Sequence, residues 1–159
     1  MPEWAASLGA ASAASYSACQ AVQVVRRNLP PCNQGMNADG LPITVILNVG
    51  SGHQDAAEVE AQIREAFESA GRAHHILVTQ GAEEVEREAR QAVERSRTHP
   101  EVIVAAGGDG TINLVAGIVQ GTGVLFGVIP LGTFNYFARD LGISQDPREA
   151  ATALTSGRV

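Results

Sequence analysis

Two glycine-rich turns in this chain carry the residue types that bind phosphate. The first glycine turn, residues 107–111 (GGDGT), follows the apolar run 102–106. The second glycine turn, residues 132–135 (GTFN), follows another apolar run and Pro130-Leu131. Glycine lets backbone amides approach an anion closely, and a helix that begins at such a turn adds a favourable dipole. The two turns therefore predict a site for phosphate or a nucleotide.

One carboxylate, Asp109, stands in the middle of the first glycine turn. A carboxylate beside an anion is repulsive unless it binds a metal ion or moves a proton. The alternative is an ordinary turn in which Asp109 or Thr111 only caps a helix. We favour the functional interpretation because the double glycine before Asp109 exceeds what a cap requires.

The basic residues limit the chemistry. All 11 are arginine, so the chain has no P-loop lysine, no protein-kinase strand lysine and no Schiff-base lysine. Phosphoryl transfer would depend on backbone amides, hydroxyls, arginine and metal. The formal net charge is −6 and no basic cluster exceeds Arg26-Arg27, which argues against sequence-independent nucleic-acid binding.

Cysteine, histidine and hydropathy give only coarse information. Two cysteines without CxxC spacing favour reduced thiols in a cytoplasmic protein over the alternative of a disulfide. The four histidines show no spacing typical of a metal site, so we expect surface or strand-edge roles for them. No apolar run approaches the ~20 residues that a membrane span needs.

From Pro42 onward, apolar runs alternate with helical periodicity. We predict strands over 43–48, 75–79, 102–106 and 124–129, and helices over 55–70, 82–97, 109–120, 133–141 and 147–155. Continuous apolar strands between amphipathic helices indicate an α/β parallel sheet with helices on both faces. Ligands of such sheets bind beyond the carboxyl-terminal ends of the strands. The predicted ends at Asn48, Thr79, Gly107 and Pro130 would converge on one crevice.

Charge spacing predicts local pairs. The spacing predicts two ion pairs on the solvent-exposed face of the second helix, Glu83 with Arg87 and Glu86 with Arg90. For Arg139 we expect a structural pair with a nearby carboxylate, rather than contact with a phosphate.

Residues 1–40 differ from the rest of the chain. They are rich in alanine and serine and then in turn-forming residues, and they make a poor secretory signal. The composition permits a helix over 5–27 that ends before Pro30-Pro31. We favour a loosely ordered extension, followed by one domain over 41–159.

The motifs resemble a known family. GGDGT followed by PLGTFN is similar to the nucleotide-binding domain of diacylglycerol kinases, sphingosine kinases and related bacterial lipid kinases. GGDGT alone also resembles turns of NAD kinases and phosphofructokinases, and the second motif favours the lipid-kinase branch. Asn48-Val49-Gly50-Ser51-Gly52 resembles the family's Asn-Pro-x-Ser-Gly turn, with Val49 in place of proline.

The resemblance implies a three-layer Rossmann-like fold, with ATP and Mg²⁺ at the turns. It implies that Asp109 faces the γ-phosphate, as metal ligand or as base for the acceptor hydroxyl. Two family positions are not carried over, because Leu114 replaces a usual glutamate and Tyr136 a frequent aspartate. Asn113 stays open between a site role and a helix-start role. The candidate nucleotide-binding residues are Asn48, Ser51, Gly52, Thr79, Gly107, Gly108, Gly110, Thr111, Gly132, Thr133 and Asn135.

The resemblance covers only the first half of a typical family member. The family's β-rich second domain, which supplies much of the lipid site, has no counterpart here. We therefore expect the ATP-binding half of a lipid kinase, cytoplasmic, with peripheral membrane contact and a lipid substrate in the full-length protein. We also expect homo-oligomers through the exposed domain surface. The alternatives are a non-catalytic nucleotide-binding or oligomerising fragment, and an NAD kinase-like enzyme.

Overall fold

The structure, a computed structural model, describes residues 40–49 and 55–156. The predictions for residues 1–39, which include the helix over 5–27 and both cysteines, lie outside the described residues. So do the predicted contacts of Ser51 and Gly52.

Four parallel strands form the sheet. They are β1 (Ile43–Asn48), β2 (His74–Thr79), β3 (Val102–Gly107) and β4 (Leu125–Pro130), in the order β2-β1-β3-β4. The central strands β1 and β3 are buried almost throughout, whereas the edge strand β2 keeps several side chains partly exposed. This burial explains why the central strands read as continuous apolar runs.

Helices cover both faces of the sheet. α1 (Ala56–Ser69) packs against α5 (Pro147–Thr155), and α2 (Ala82–Ser96) packs against α3 (Asp109–Val119). The chain moves from β1 outward to β2, then crosses back past β1 to β3 and β4. Crossovers of one hand put the helices of these two directions on opposite faces. The predicted three-layer α/β fold is confirmed.

Local sequence signals explain where helices begin and end. The Asp55 carboxylate accepts a hydrogen bond from the Ala57 amide at the start of α1. Asp146 caps α5 in the same way, and Pro147 fills its first turn. Gly71, with φ 63°, follows the end of α1, as predicted. Most predicted boundaries agree with the structure to within one residue.

The fourth helix is an exception. We predicted a helix over 133–141, but α4 spans only Tyr136–Asp140. Asn135 adopts a left-handed conformation (φ 48°, ψ 47°), which interrupts any helix that begins before it. The three residues that precede Asn135 therefore form a turn.

Surface ion pairs follow the predicted spacing only in part. Arg90 pairs with Glu86 at 2.8 Å, as expected. Arg87 pairs with its neighbour Glu88 at 3.0 Å, so the predicted Glu83–Arg87 pair is wrong. Exposed ion pairs contribute little to the free energy of unfolding, so the choice among nearby carboxylates is only weakly determined.

A buried carboxylate joins elements at the amino-terminal ends of the strands. Glu101 is 6% exposed and accepts hydrogen bonds from the hydroxyls of Thr44 (2.5 Å) and Ser96 (3.2 Å). Arg95 forms an ion pair with it at 3.0 Å. The network satisfies the buried charge and fixes the end of α2 against β1. Among the described residues, no helix is both long and apolar enough to cross a bilayer.

Gly127 seats α5 against β4, and we expect Gly127→Ala to destabilise the fold. A Cβ there would lie 2.7 Å from Leu154 Cδ2 and 3.1 Å from Val104 Cγ2. Overpacking of this kind costs about 1–3 kcal/mol of unfolding free energy, measurable by urea unfolding. Gly117→Ala is the matched control: no atom lies within 4 Å of its Cβ position, and the change should gain about 0.5–1 kcal/mol. Equal stabilities of the two variants would contradict this packing argument.

Candidate functional site

A cavity of about 470 Å³ lies where the carboxyl-terminal ends of the central strands meet the glycine turns. Seven of the predicted site residues line this cavity: Asn48, Gly108, Asp109, Gly110, Thr111, Gly132 and Thr133. Four further lining residues were not predicted as site residues, namely Ala82, Val85, Leu114 and Phe134. They give the cavity an apolar wall from α2 and α3 and an aromatic rim.

A second cavity, of about 510 Å³, lies at the opposite ends of the strands, beside Glu101 and the 121–124 turn. It is slightly larger, but none of the predicted site residues lines it. Its carboxylate, Glu101, is already engaged by hydroxyls and an arginine. Parallel α/β sheets bind ligands at their carboxyl-terminal edge, so the first cavity is the candidate site.

Asn48 connects three strand ends at this edge. Its side-chain amide donates to the Thr111 hydroxyl at 2.8 Å, and its side-chain carbonyl accepts from the Gly81 amide at 3.3 Å. Asn48 ends β1, Thr111 follows β3, and Gly81 follows β2. The bond to Thr111 crosses the point where the strand order reverses, which is where doubly wound sheets form their ligand crevice.

The two glycine turns touch each other. A Cβ on Gly132 would lie 2.8 Å from Gly108 Cα, and the Leu131 amide donates to Gly107 O at 2.8 Å. A Cβ on Gly107 would lie 2.7 Å from Thr111 Cβ. Neither Gly107 nor Gly132 has a positive φ. Close packing of the turns, rather than backbone strain, therefore requires glycine at these two positions.

Gly110 differs from those glycines. It lines the cavity, and its Cβ position has no protein atom within 4 Å. Packing within the chain would accept a side chain here, and alanine would favour helix α3. The missing side chain therefore leaves room beside the backbone for a ligand.

Asp109 lies in the first turn of α3 but interacts with α4. Its Oδ2 accepts from the Tyr136 amide at 3.1 Å and its Oδ1 from the Phe137 amide at 3.3 Å. The N-cap of α3 is Gly108, without a side-chain bond, so the alternative in which Asp109 or Thr111 caps that helix is wrong. Asp109 instead ties the first glycine turn to the helix that follows the second.

Asn135 shapes the second glycine turn from inside. It is 3% exposed, and its amide donates to Gly132 O at 2.7 Å and to Gln145 Oε1 at 2.8 Å. These bonds stabilise the left-handed conformation that delays helix α4. Its Oδ1 finds no hydrogen-bond donor within the described part of the chain.

Three other residues lie away from the cavity lining. Thr79 is 2% exposed and its hydroxyl donates to Leu47 O at 3.1 Å, so it joins β2 to β1. Asn113 is exposed on α3. Arg139 is exposed and forms no ion pair within the described residues, so the structural pair expected for it is not found there.

The described residues contain no group of three or more His, Cys, Asp or Glu side chains able to hold a metal ion. Within the described part of the chain, Asp109 is the only carboxylate that lines the cavity. A carboxylate offers about four acceptor positions, and two amides occupy two of them. Mg²⁺ commonly uses one or two carboxylates together with substrate phosphates and water. The donor set therefore fits Mg²⁺ only if a bound nucleotide supplies further oxygens.

Comparisons with known proteins agree with the motifs. A family model described as the diacylglycerol kinase catalytic domain matches residues 42–159. A diacylglycerol kinase of Bacillus subtilis (strain 168) is 39% identical over 119 residues, which are 71% of this chain and 37% of that protein. A Klebsiella pneumoniae (strain 342) protein named Probable lipid kinase YegS-like is 45% identical over 60 residues, 36% of this chain and 20% of that protein.

A solved structure shows the same fold. The crystal structure of a diacylglycerol kinase from Bacillus anthracis matches with a TM-score of 0.62 at 24% sequence identity. The match covers 77% of this chain and 43% of that chain. The chain thus spans less than half the length of each of these relatives.

We expect Asn48→Ala to lower the free energy of unfolding by about 1–3 kcal/mol, because it leaves the buried Thr111 hydroxyl without its donor. Asn113→Ala, which replaces an exposed asparagine on α3, is the control and should change stability by no more than about 0.5 kcal/mol. Urea unfolding followed by circular dichroism measures both. A loss for Asn113→Ala as large as that for Asn48→Ala would refute the bridging role of Asn48.

Proposed function

We propose that this chain, which belongs to the diacylglycerol kinase catalytic domain family, is the nucleotide-binding half of an ATP-dependent lipid kinase. The reaction would transfer the γ-phosphate of ATP to a lipid hydroxyl. The observation that carries the proposal is the contact between the two glycine turns, which brings backbone amides, hydroxyls and Asp109 to one cavity.

Backbone amides of α3 would bind the nucleotide phosphates. The first intrahelical hydrogen bond of α3 runs from the Ile112 amide to Gly108 O. The amides of residues 109–111 precede it and have no partner within the helix. With the helix dipole, these amides provide a binding site for an anion without a cationic side chain. The open space at Gly110 and the cavity-lining Thr133 support the same placement.

Asp109 would act beside the γ-phosphate. The acceptor hydroxyl would form a bond to the γ-phosphorus, the bond from that phosphorus to the bridging oxygen would break, and ADP would leave. Asp109 would either take the hydroxyl proton itself, or hold Mg²⁺ while the proton leaves to water. Both roles suit a carboxylate whose remaining lone pairs face a phosphate. Mg²⁺, when bound, would neutralise charge on the phosphate oxygens. The amides of Tyr136 and Phe137 would hold the carboxylate in position for either role.

A second candidate function is nucleotide binding without transfer by this chain alone. Asp109 is the one carboxylate among the described lining residues, which favours binding without transfer, since transfer depends on positioning both reactants and neutralising charge. Binding and transfer should therefore be measured separately.

We expect Mg·ATP to stabilise the chain and Gly110→Ala to abolish most of that effect. Ligand at about 100 times its dissociation constant adds about 2.7 kcal/mol, which raises the melting temperature. Alanine at position 110 should not harm the fold, but its methyl group would occupy space beside the phosphates. Gly117→Ala makes the same chemical change in the same helix, outside the cavity lining, and should respond to Mg·ATP like the wild type.

The absence of any shift with wild-type protein at millimolar ATP would reject nucleotide binding. A full shift with Gly110→Ala would instead reject the placement of phosphate beside this residue.

Asp109→Asn should reduce phosphoryl transfer by about 10²–10⁴-fold, the usual contribution of a positioned acid or base. Transfer would be measured with radiolabelled ATP and with diacylglycerol, sphingosine or ceramide as the acceptor, using the longest form of the protein that the cell makes. Asparagine keeps one acceptor oxygen, so the loss of stability should stay near 1 kcal/mol. Asp140→Asn, an exposed aspartate on α4, is the control and should keep activity. Full activity of Asp109→Asn would eliminate both proposed roles of the carboxylate.

A further inference from the structure

Two aromatic side chains are unusually exposed. Phe134 is 64% exposed and Tyr136 is 69% exposed, whereas the other exposed large apolar side chain of the described residues is Val78, at 46%. The rings of Phe134 and Tyr136 stack, with centroids 5.7 Å apart and planes 2° apart. We call these two side chains the aromatic pair. Paired exposed rings present a continuous apolar surface to water, which is the kind of patch that marks an interaction site.

The aromatic pair lies beside the proposed transfer site. Phe134 lines the candidate cavity, and the backbone amide of Tyr136 donates to the Asp109 carboxylate at 3.1 Å. An apolar surface next to this carboxylate suits an acceptor whose hydroxyl must reach the cavity while its hydrocarbon chains stay out of water.

An arginine accompanies the aromatic pair. Arg139 lies three residues after Tyr136 on α4, so both side chains project from the same side of the helix. It is exposed and forms no ion pair within the part of the chain that the structure describes. Asp140 follows directly and therefore points to a different side. Exposed aromatic rings beside a cation are typical of surfaces that bind the phospholipid interface.

We propose that the aromatic pair and Arg139 form a membrane-contact surface, in which the rings enter the interface of a phospholipid bilayer and Arg139 binds a lipid phosphate. The inference rests on the proposed function, since it assigns to this surface the delivery of the lipid acceptor to Asp109. A nucleobase is the competing occupant of Phe134. It is disfavoured because Tyr136 does not line the cavity, and because the buried Val85 and the half-buried Leu114 already provide a more enclosed apolar wall.

Vesicle flotation of the full chain tests the proposal, with vesicles of phosphatidylcholine and phosphatidylglycerol. Tyr136→Ala should weaken partitioning by at least about tenfold, equivalent to about 1.4 kcal/mol. Its backbone amide is retained, so the bond to Asp109 persists. Arg139→Gln should weaken partitioning more with phosphatidylglycerol than with phosphatidylcholine alone. Val78→Ala, which removes an exposed apolar side chain three strands away from β4, should partition like the wild type.

Phe134→Leu separates membrane contact from nucleobase stacking, because leucine is apolar but has no aromatic face. Retained partitioning with unchanged Mg·ATP stabilisation supports the proposal. Unchanged partitioning of Tyr136→Ala, or no partitioning of the wild type, overturns it. Loss of Mg·ATP stabilisation in Phe134→Leu, with Tyr136→Ala partitioning normally, assigns Phe134 to the nucleobase and also overturns it. If partitioning follows the proposal while the wild type binds no nucleotide, the membrane surface stands and the proposed kinase function fails.

Discussion

The contact between the two glycine turns is the constraint on which the candidate site depends. Gly132 and Gly108 approach so closely that a single methyl group would separate them, and Asp109 bonds to amides of the helix that follows. The two glycine turns, which are far apart in sequence, thereby form one wall of the candidate cavity. Because the turns follow the adjacent strands β3 and β4, the sheet register sets their distance. Any change that moves one strand relative to the other would therefore open the site.

Asn48 extends that wall across the sheet. The position of a strand end relative to the helix that follows a neighbouring strand is not fixed unless a side chain joins the two. The Asn48 amide does so with one donor and one acceptor, to Thr111 and to Gly81. These neutral bonds fix geometry without adding charge to a site that is expected to receive phosphates. The result is a crevice at the reversal of strand order that is lined by residues of both glycine turns.

The sequence predicted the elements well because their signals are local: apolar runs, helical periodicity, and caps such as Asp55 and Asp146. It predicted the glycine turns because their residue types are specific. It failed where a tertiary contact decides. The left-handed backbone of Asn135 depends on bonds to Gly132 and Gln145, so the later start of α4 could not be read from propensity. The apolar wall from Ala82 and Val85 likewise exists only once α2 packs beside α3.

The composition determines how such a site must bind an anion. With a net charge of −6 and no lysine, the chain provides little long-range attraction for a nucleotide. Among the described residues that line the cavity, attraction for a phosphate would come from amide dipoles and hydroxyls, which act only at hydrogen-bond distance. A site of this kind depends on rigid geometry more than a cationic site does, because a small displacement removes the interaction. Close glycine packing, the Asn48 bridge and the Asp109 bonds to α4 each supply that rigidity, and together they would hold the amides and hydroxyls in place for the proposed nucleotide.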